Sequence, residues 1–379
     1  MSSVKSAIRR LKELMRMRDE DFMREALRIA ENGRGRTSPN PLVGAVIVKD
    51  GRIVAEGWHR EAGTPHAEIH ALNMAGELAR DATLYVTLEP CAHYGRTGPC
   101  AKALVEAGLR RVVIGMQDPN PKVSGRGIDI LRNAGIEVTG NVLEADARKL
   151  NEVFLKWVTE GLPFVAMKTA MTLDGKIATA KGKSQWITNA ASRARVHELR
   201  DIYDGILVGI GTVLADDPSL TTRLPDGCGK NPVRIVLDSA ARMPLNSKML
   251  RDGAAKTVIA VTEQAPAEQV EALGLAGAEI ITCGKGPQVD LRKLLQELAE
   301  REITSVFIEG GGTVNFSFLR EGLVDKVYAF LAPKIVGGRN ALTPVEGEGF
   351  GELSEAVQLD GLTAEPLDGD ILLTGYVGR

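Results

Sequence analysis

The sequence predicts two α/β domains joined in one chain of 379 residues. Three observations lead there. A single hydrophobic core stops growing well below this length, so two domains are the default. From residue 20 onward, short apolar runs of strand character alternate with helical segments. The alternation breaks at "TEGLPFV", where Gly161 and Pro163 interrupt it before a new apolar strand begins. The expected division is therefore an extension over 1–19, a first domain over 20–162 and a second over 163–379.

Residues 21–32 read as a helix, and "GAVIVKDGRIVAEGW" as a strand pair turned at Asp50-Gly51. A helix starts after His66, and "ATLYVTLEP" is a buried strand. A helix over 99–108, the strand "RRVVIGM", a helix over 126–134, a short strand near 136–142 and a helix over 143–158 complete a three-layer α/β domain. The second half supplies a strand at "FVAMKTAM", then the runs "DGILVGI", "VRIVLDS", "TVIAVT", "SVFIEGG" and "VYAFLA" between helices, the clearest helix being 289–301. No internal repeat relates the halves, so two different domains are expected.

Apolar residues make up 44% and charged residues 25%, and 47 basic against 49 acidic side chains leave a net charge of −2. That balance argues against nucleic acid as the main partner. No apolar run approaches the ~20 residues a membrane-spanning helix needs, and the start "MSSVKSAIRRLKELMRMRDE" lacks the apolar centre of a secretory signal. A cytoplasmic protein with a frayed, solvated start is expected, an amphipathic or targeting helix there being the alternative. Four cysteines in so long a chain make no disulfide framework. Cys228 and Cys283 stand alone and read as surface or packing residues, whereas Cys91 and Cys100 share a loop-rich segment.

The stretch "PHAEIHALNMAG" places His66 and Glu68 at a helix start, which suits either a metal site or an ordinary cap. "TLEPCAHYGRTGPCAKAL" then brings Cys91 and Cys100 to either side of a glycine-containing loop. One His and two Cys offer three ligands and leave zinc's fourth position open, the arrangement of a catalytic ion. In zinc deaminases such a set holds the metal while a nearby Glu that is not a ligand moves protons, and Glu68 has the required offset from His66. "PNPLVGAVIV" upstream would put Asn40 at the mouth of the same site. His59, His70 and His93 are spare: His93 either touches substrate or is solvated, and His70 is a neighbour and not a ligand.

The second half lacks a dinucleotide fingerprint, since "VGIGTVLADDPSLTTR" carries Gly209 and Gly211 without a third glycine in register. "FIEGGGTVNFSFLREG" instead runs a strand through three glycines into a helix, which either exposes backbone N–H groups to a phosphate or is only a tight turn. Polar groups gather at strand ends in "MKTAMTLDGKIA" (Lys168, Asp174, Lys176), "SQWIT" (Ser184, Trp186) and "TVLADDPSLTTR" (Thr212, Asp216, Asp217, Arg223).

On "NPLVGAVIV", "PHAEIHAL", "TLEPCAHYGRTGPC", "MQDPNPKVSGRG" and "TLDGKIA…SQWIT", residues 20–379 resemble the bifunctional deaminase-reductases of riboflavin biosynthesis. The longer spacing between the cysteines is shared with that family. Gly98 stands where the family usually has a proline, which loosens the loop and leaves both ligands in place. The resemblance implies a cytidine-deaminase-like zinc domain followed by a dihydrofolate-reductase-like domain that uses NADPH to reduce a ribosyl chain to ribityl. It implies that His66, Cys91 and Cys100 hold zinc, with Glu68 catalytic and Asn40 on the substrate. It further implies that NADPH meets Ala170, Trp186, Thr212, Asp216, Ser239 and the loop Gly311, Gly312, Thr313, Val314, Asn315, Phe316, Ser317. Lys168, Ser184, Arg200, Leu220, Arg223 and Glu309 would face a phosphorylated pyrimidine substrate. Asp174 and Glu309 stand as candidate proton donors or as structural carboxylates, and Trp186 as a cofactor wall or core packing. A homo-oligomer through "VYAFLAPKIVGG" follows from the family alone. The competing readings are a deaminase of another base with a pteridine-type reductase, and a nucleotide- or RNA-binding protein with a decayed site.

Overall fold

The structure is a computed structural model that describes residues 18–92, 98–120 and 123–378. The expectations for the basic start and for His93 lie outside these residues, except at Arg18 and Asp19. The chain forms two compact units, Met1–Glu160 and Gly161–Arg379. No helix among the described residues is long and apolar enough to cross a membrane.

The first unit runs α1 (Asp19–Ala30), β1 (Gly44–Lys49), β2 (Arg52–Trp58), α2 (Ala67–Ala75), β3 (Thr83–Leu88), α3 (Cys100–Glu106), β4 (Arg111–Met116), α4 (Arg126–Asn133), β5 (Glu137–Thr139), α5 (Glu144–Leu150) and α6 (Glu152–Glu160). Its sheet has the order β2-β1-β3-β4-β5, antiparallel at the β1–β2 and β1–β3 pairs and parallel from β3 to β5. Strand residues alternate between faces. Ala45, Ile47, Leu84, Val86, Val112 and Ile114 pack against α2 to α4, while Val46, Val48, Tyr85 and Val113 pack against Phe22, Met23 and Ile29 of α1. The result is three layers, with α2 and α3 both starting near the same end of β3.

The helix expected over 143–158 is two helices, with Asn151 at the break. Its buried carboxamide accepts from Leu42 N–H at 2.8 Å and donates to Leu42 C=O at 3.0 Å. This pairing fastens the C-terminal part of the unit to the segment carrying Asn40. A helix period alone gives no sign of a partner 109 residues away.

The second unit runs β6 (Phe164–Thr172), α7 (Ala190–Ile202), β7 (Gly205–Gly209), α8 (Ile210–Asp216), β8 (Val233–Leu237), α9 (Lys248–Arg251), β9 (Thr257–Val261), α10 (Ala267–Leu275), β10 (Glu279–Thr282), α11 (Leu291–Glu300), β11 (Ser305–Ile308), α12 (Gly312–Arg320), β12 (Lys326–Ala332), β13 (Leu359–Leu367) and β14 (Asp370–Val377). Its sheet has the order β10-β9-β8-β7-β11-β6-β12-β14-β13. Pairing is parallel up to β12 and antiparallel through β14 and β13. One face packs Val165, Leu207, Ile235, Val258 and Val306 on α11, and the other packs Ile206, Val208, Val236 and Ile259 with Val213 and Leu273 of α8 and α10. The chain winds outward from β7 to β10 and then returns to insert β11 between β7 and β6. Such a reversal opens a crevice at the carboxyl ends of the flanking strands, where open α/β sheets bind ligands.

The expected strands of this half are present, and β10, β13 and β14 add to them. Every residue of β13 except Leu367 is exposed, so this strand has no buried face to mark it in the sequence.

Candidate active sites

In the first unit, two helix starts and one strand end converge. His66 immediately precedes α2, Cys100 opens α3, and Cys91 lies just past β3. His66 Nδ1 is 3.3 Å from Cys100 Sγ and 3.6 Å from Cys91 Sγ, and all three ligand atoms lie within 4.8 Å of one another. A tetrahedral ion at ordinary zinc–sulfur and zinc–nitrogen lengths places its sulfur and nitrogen ligands about 3.5 Å apart. The donor set and its spacing fit zinc with one position left for a reacting molecule. Cys100 N–H donates to Cys91 Sγ at 3.2 Å, so the start of α3 favours a thiolate there. The hydrogen bond between the two thiols holds Cys91 below its usual range and pushes Cys100 above it.

Glu68, in the first turn of α2, is 3% exposed and lies outside the three-ligand group. Burial pushes its carboxyl up to about 7, with His66 opposing and Cys91 adding to the rise. Gly98 faces open space, with no atom within 4 Å of where a Cβ would sit, so losing the family's proline costs no packing there.

Two supporting groups escaped the sequence reading. His59, left over as a spare, is buried, with Nε2 3.0 Å from Asn40 Nδ2 and Nδ1 3.2 Å from Pro65 O. A carbonyl only accepts, so the proton sits on Nδ1, and Nε2 accepts from the Asn40 amide and fixes its direction. Glu89, two residues before Cys91, is buried and accepts backbone N–H bonds from Asp118, Gly125 and Gly127 at 3.2, 3.0 and 3.0 Å. It ties the start of α4 to the ligand loop, and a Cβ at Gly127 would overlap the Pro90 carbonyl. The quoted motif "MQDPNPKVSGRG" was a signal for this contact, because its glycines permit the close approach.

In the second unit a cleft of about 580 Å³ opens at the carboxyl ends of β7, β8 and β11. Thr212, Asp216, Ser239, Gly311, Gly312, Thr313, Val314 and Ser317 line it, and so does Ser184, which had been expected on the substrate. Gly312 begins α12, and a Cβ there would overlap the Glu346 side chain, whereas Gly311 meets nothing within 4 Å. The helix N-terminus thus presents open backbone N–H groups to the cleft, a cradle suited to a coenzyme pyrophosphate. Asn315 and Phe316 are buried, Asn315 Nδ2 donating to Pro344 O at 2.7 Å, so only their main chain belongs to that turn. Arg242, which the sequence reading missed, is the one cation lining the cleft among the described residues.

Lys168, Arg200 and Glu309 form a partly buried triad. Glu309 Oε1 accepts from Arg200 Nε at 2.6 Å, Oε2 accepts from Nη2 at 3.0 Å, and Lys168 Nζ is 3.5 Å from Oε2. Arg200 Nη1 also donates to Thr221 O at 3.0 Å. Leu220 precedes that carbonyl with a left-handed φ of 50°, a strained conformation that helps aim it. Arg223 is exposed and pairs with no carboxylate among the described residues. Burial alone would raise the Glu309 carboxyl, yet Arg200 and then Lys168 hold it at about 2.

The remaining expectations separate clearly. Asp174 accepts from Thr172 Oγ1 at 2.6 Å, Val336 N–H at 3.1 Å and Gly337 N–H at 2.6 Å, a turn-capping carboxylate. Lys176 Nζ donates to Ala341 O at 3.3 Å. Trp186 is no core residue: it is 64% exposed, with the Arg193 guanidinium 4.6 Å from its ring centre. Ala170 sits on β6 opposite Phe330.

Both units match known protein families. Residues 16–116 match the cytidine and deoxycytidylate deaminase zinc-binding region, and residues 163–373 match the RibD C-terminal domain. The chain is 46% identical to the riboflavin biosynthesis protein RibD of Actinobacillus pleuropneumoniae, over 94% of this chain and 95% of that protein. It is 45% identical to the protein of that name from Escherichia coli, over 85% and 89%. Among solved structures, Acinetobacter baumannii RibD superposes with a TM-score of 0.86 at 40% identity, covering 95% of this chain and 99% of that one. A diaminohydroxyphosphoribosylaminopyrimidine deaminase/5-amino-6-(5-phosphoribosylamino)uracil reductase from Thermotoga maritima gives 0.84 at 41% identity, covering 95% and 99%.

Proposed function

The chain belongs to the RibD family of bifunctional riboflavin biosynthesis enzymes, and from that premise we propose how its residues divide the two reactions. Residues 20–162 carry hydrolytic deamination of 2,5-diamino-6-(5-phosphoribosylamino)pyrimidin-4-one, and residues 163–379 carry the NADPH-dependent reduction that opens the ribosyl chain to ribityl. The observation that carries this reading is the convergence of His66, Cys91 and Cys100 beside a buried, non-ligating Glu68.

His66, Cys91 and Cys100 would hold a zinc ion, which would supply Lewis-acid activation for hydrolysis at the amino-bearing ring carbon. Glu68 would hold and pass on the proton exchanged between water and the departing amine. Asn40, held by His59, presents its remaining amide group to the pyrimidine. NADPH supplies the hydride of the second reaction from the cleft formed by α8, α12 and Ser239. Lys168, Arg200 and Glu309 build the wall facing the sugar. Because Glu309 is held ionised, it is a poor proton donor at neutral pH.

The experiment that tests this gives the purified protein the diamino pyrimidine ribosylamino phosphate and follows products by mass spectrometry. Without NADPH the product should show only the exchange of amino for oxo. With NADPH it should gain two further hydrogens. No mass change from folded, zinc-loaded protein would reject this substrate in favour of another base.

Arg242 is placed to read the phosphate that distinguishes NADPH from NADH. In dinucleotide sites an acid at the strand end binds a free ribose hydroxyl, whereas an arginine accepts the phosphate. Here the acid after β8, Asp238, is wholly buried and accepts from Met243 N–H at 2.8 Å, leaving Arg242 at the cleft. R242A should raise KM for NADPH by about tenfold to a hundredfold and leave KM for NADH within about twofold. Equal losses with both coenzymes would remove the assignment.

The reductase unit is also the part proposed to pair with a second copy. β12 lies between β6 and β14 in the sheet. The exposed apolar residues of this unit include Ile335 and Val336 just after β12, Leu362 on β13 and Ile371 on β14. Light scattering should give at least the mass of a dimer, and a monomeric mass at micromolar concentration would exclude it. All four cysteines are free, which suits the reducing cytoplasm expected for the enzyme.

A further inference from the structure

His197 lies on α7, one turn before Arg200, and its ring faces the extended segment that carries Thr221 and Arg223. Nδ1 is 3.2 Å from the backbone N–H of Arg223. That group can only donate, so Nδ1 accepts and the neutral ring carries its proton on Nε2. Nε2 in turn lies 3.3 Å from Arg223 Nη2. An imidazole N–H and a guanidinium therefore stand side by side. Glu309, the carboxylate that acts on the ring, is engaged by Arg200 and Lys168, and the Thr221 carbonyl accepts from Arg200.

Neighbouring donors, with no carboxylate paired to Arg223 among the described residues, suit an acceptor that carries several negative oxygens. Burial first, then Arg200 and Arg223, hold the ring at about 4, against the pull of Glu309 and the Thr221 carbonyl. The imidazole thus adds a donor beside Arg223 without adding a charge that would repel it. Neither His197 nor Arg223 lines the coenzyme cleft, so the anion they suit is not a coenzyme phosphate.

We propose that His197 is a phosphate-binding residue of the reductase site, clasping the phosphate monoester end of the substrate together with Arg223 while fixing the Arg223 backbone. The proposal rests on the reading that Arg223 faces the substrate phosphate. It explains the ring's placement: one nitrogen sets the loop and the other completes the anion site.

The test uses the full chain at saturating NADPH, with the deaminated substrate supplied with and without its phosphate. H197A should raise KM about tenfold for the phosphorylated substrate, the loss falling on KM and not on kcat, and leave KM for the dephosphorylated one unchanged. H197Q should recover part of the loss, since a carboxamide can accept from Arg223 N–H and still offer an N–H. Deaminase turnover and KM for NADPH report on folding in the same samples. Equal losses on both substrates, or no loss on either, would overturn the proposal. If the wild-type enzyme itself handles both substrates alike, the underlying placement of the phosphate at Arg223 fails with it. A wild type that prefers the phosphate beside an H197A that retains that preference rejects His197 alone.

Discussion

Glu68→Gln is expected to lower deaminase turnover by about 10²–10⁴-fold, while zinc content stays stoichiometric. Glutamine keeps the volume and the hydrogen-bonding reach of a side chain that is 3% exposed, so packing is preserved. What it cannot do is accept a proton from water and release it to the amine. The three ligands do not include Glu68, which is why metal affinity should survive. Ammonia release and metal analysis on the same sample check both halves of the result, and the reductase step with pre-deaminated substrate serves as an internal control. Full deaminase activity would move the proton shuttle elsewhere, and loss of zinc would make Glu68 part of the metal's support.

Glu309→Gln is expected to cost the reductase unit about 3–5 kcal/mol. Glu309 is 9% exposed between Arg200 at 12% and Lys168 at 18%, so removing its charge leaves two half-sequestered cations without an anion. For a domain of this size that corresponds to roughly 10 °C in Tm. The pH dependence has a defined sign. The folded carboxyl is held at about 2, below the ~4.3 of an unfolded glutamate. Its contribution is therefore complete above about pH 4.5 and is lost as pH falls through 2. Calorimetry of wild type and variant should show a large gap at neutral pH that narrows on acidification. A constant gap, or none, would contradict the partly buried triad. Substrate KM in the reductase assay should also rise, because Arg200 and Lys168 would no longer be held in place.

Both sites were partly readable before any fold was known, and the readable part has a common cause. His66 and Glu68 belong to one helix start, and Cys91 and Cys100 bracket one loop, so a few residues of spacing carry the chemistry. The glycines before α12 announce a backbone that must come close to something. Supporting groups were harder to see: His59 acts through Asn40, Glu89 through the amides of Asp118, Gly125 and Gly127, and Asn151 through Leu42. Their partners are set by packing and leave no local period. Arg242 and His197 were missed for the same reason, since a charged residue in a loop and a histidine on a helix look solvated until the segment opposite is known.

By itself, the sequence determined the two α/β halves and most of their strands, and it singled out His66, Cys91 and Cys100, which the fold brings together, and the glycine turn before α12. These depend on periodicity and on contacts within a few residues. Only the tertiary structure decided that β11 inserts between β7 and β6 to open the cleft, that Asp174 caps a turn while Glu309 binds Arg200, and that β10 and β13 form the edges of the sheet. Those outcomes depend on which distant segments lie side by side, and the free energy that selects them comes from burial and charge pairing across the whole unit.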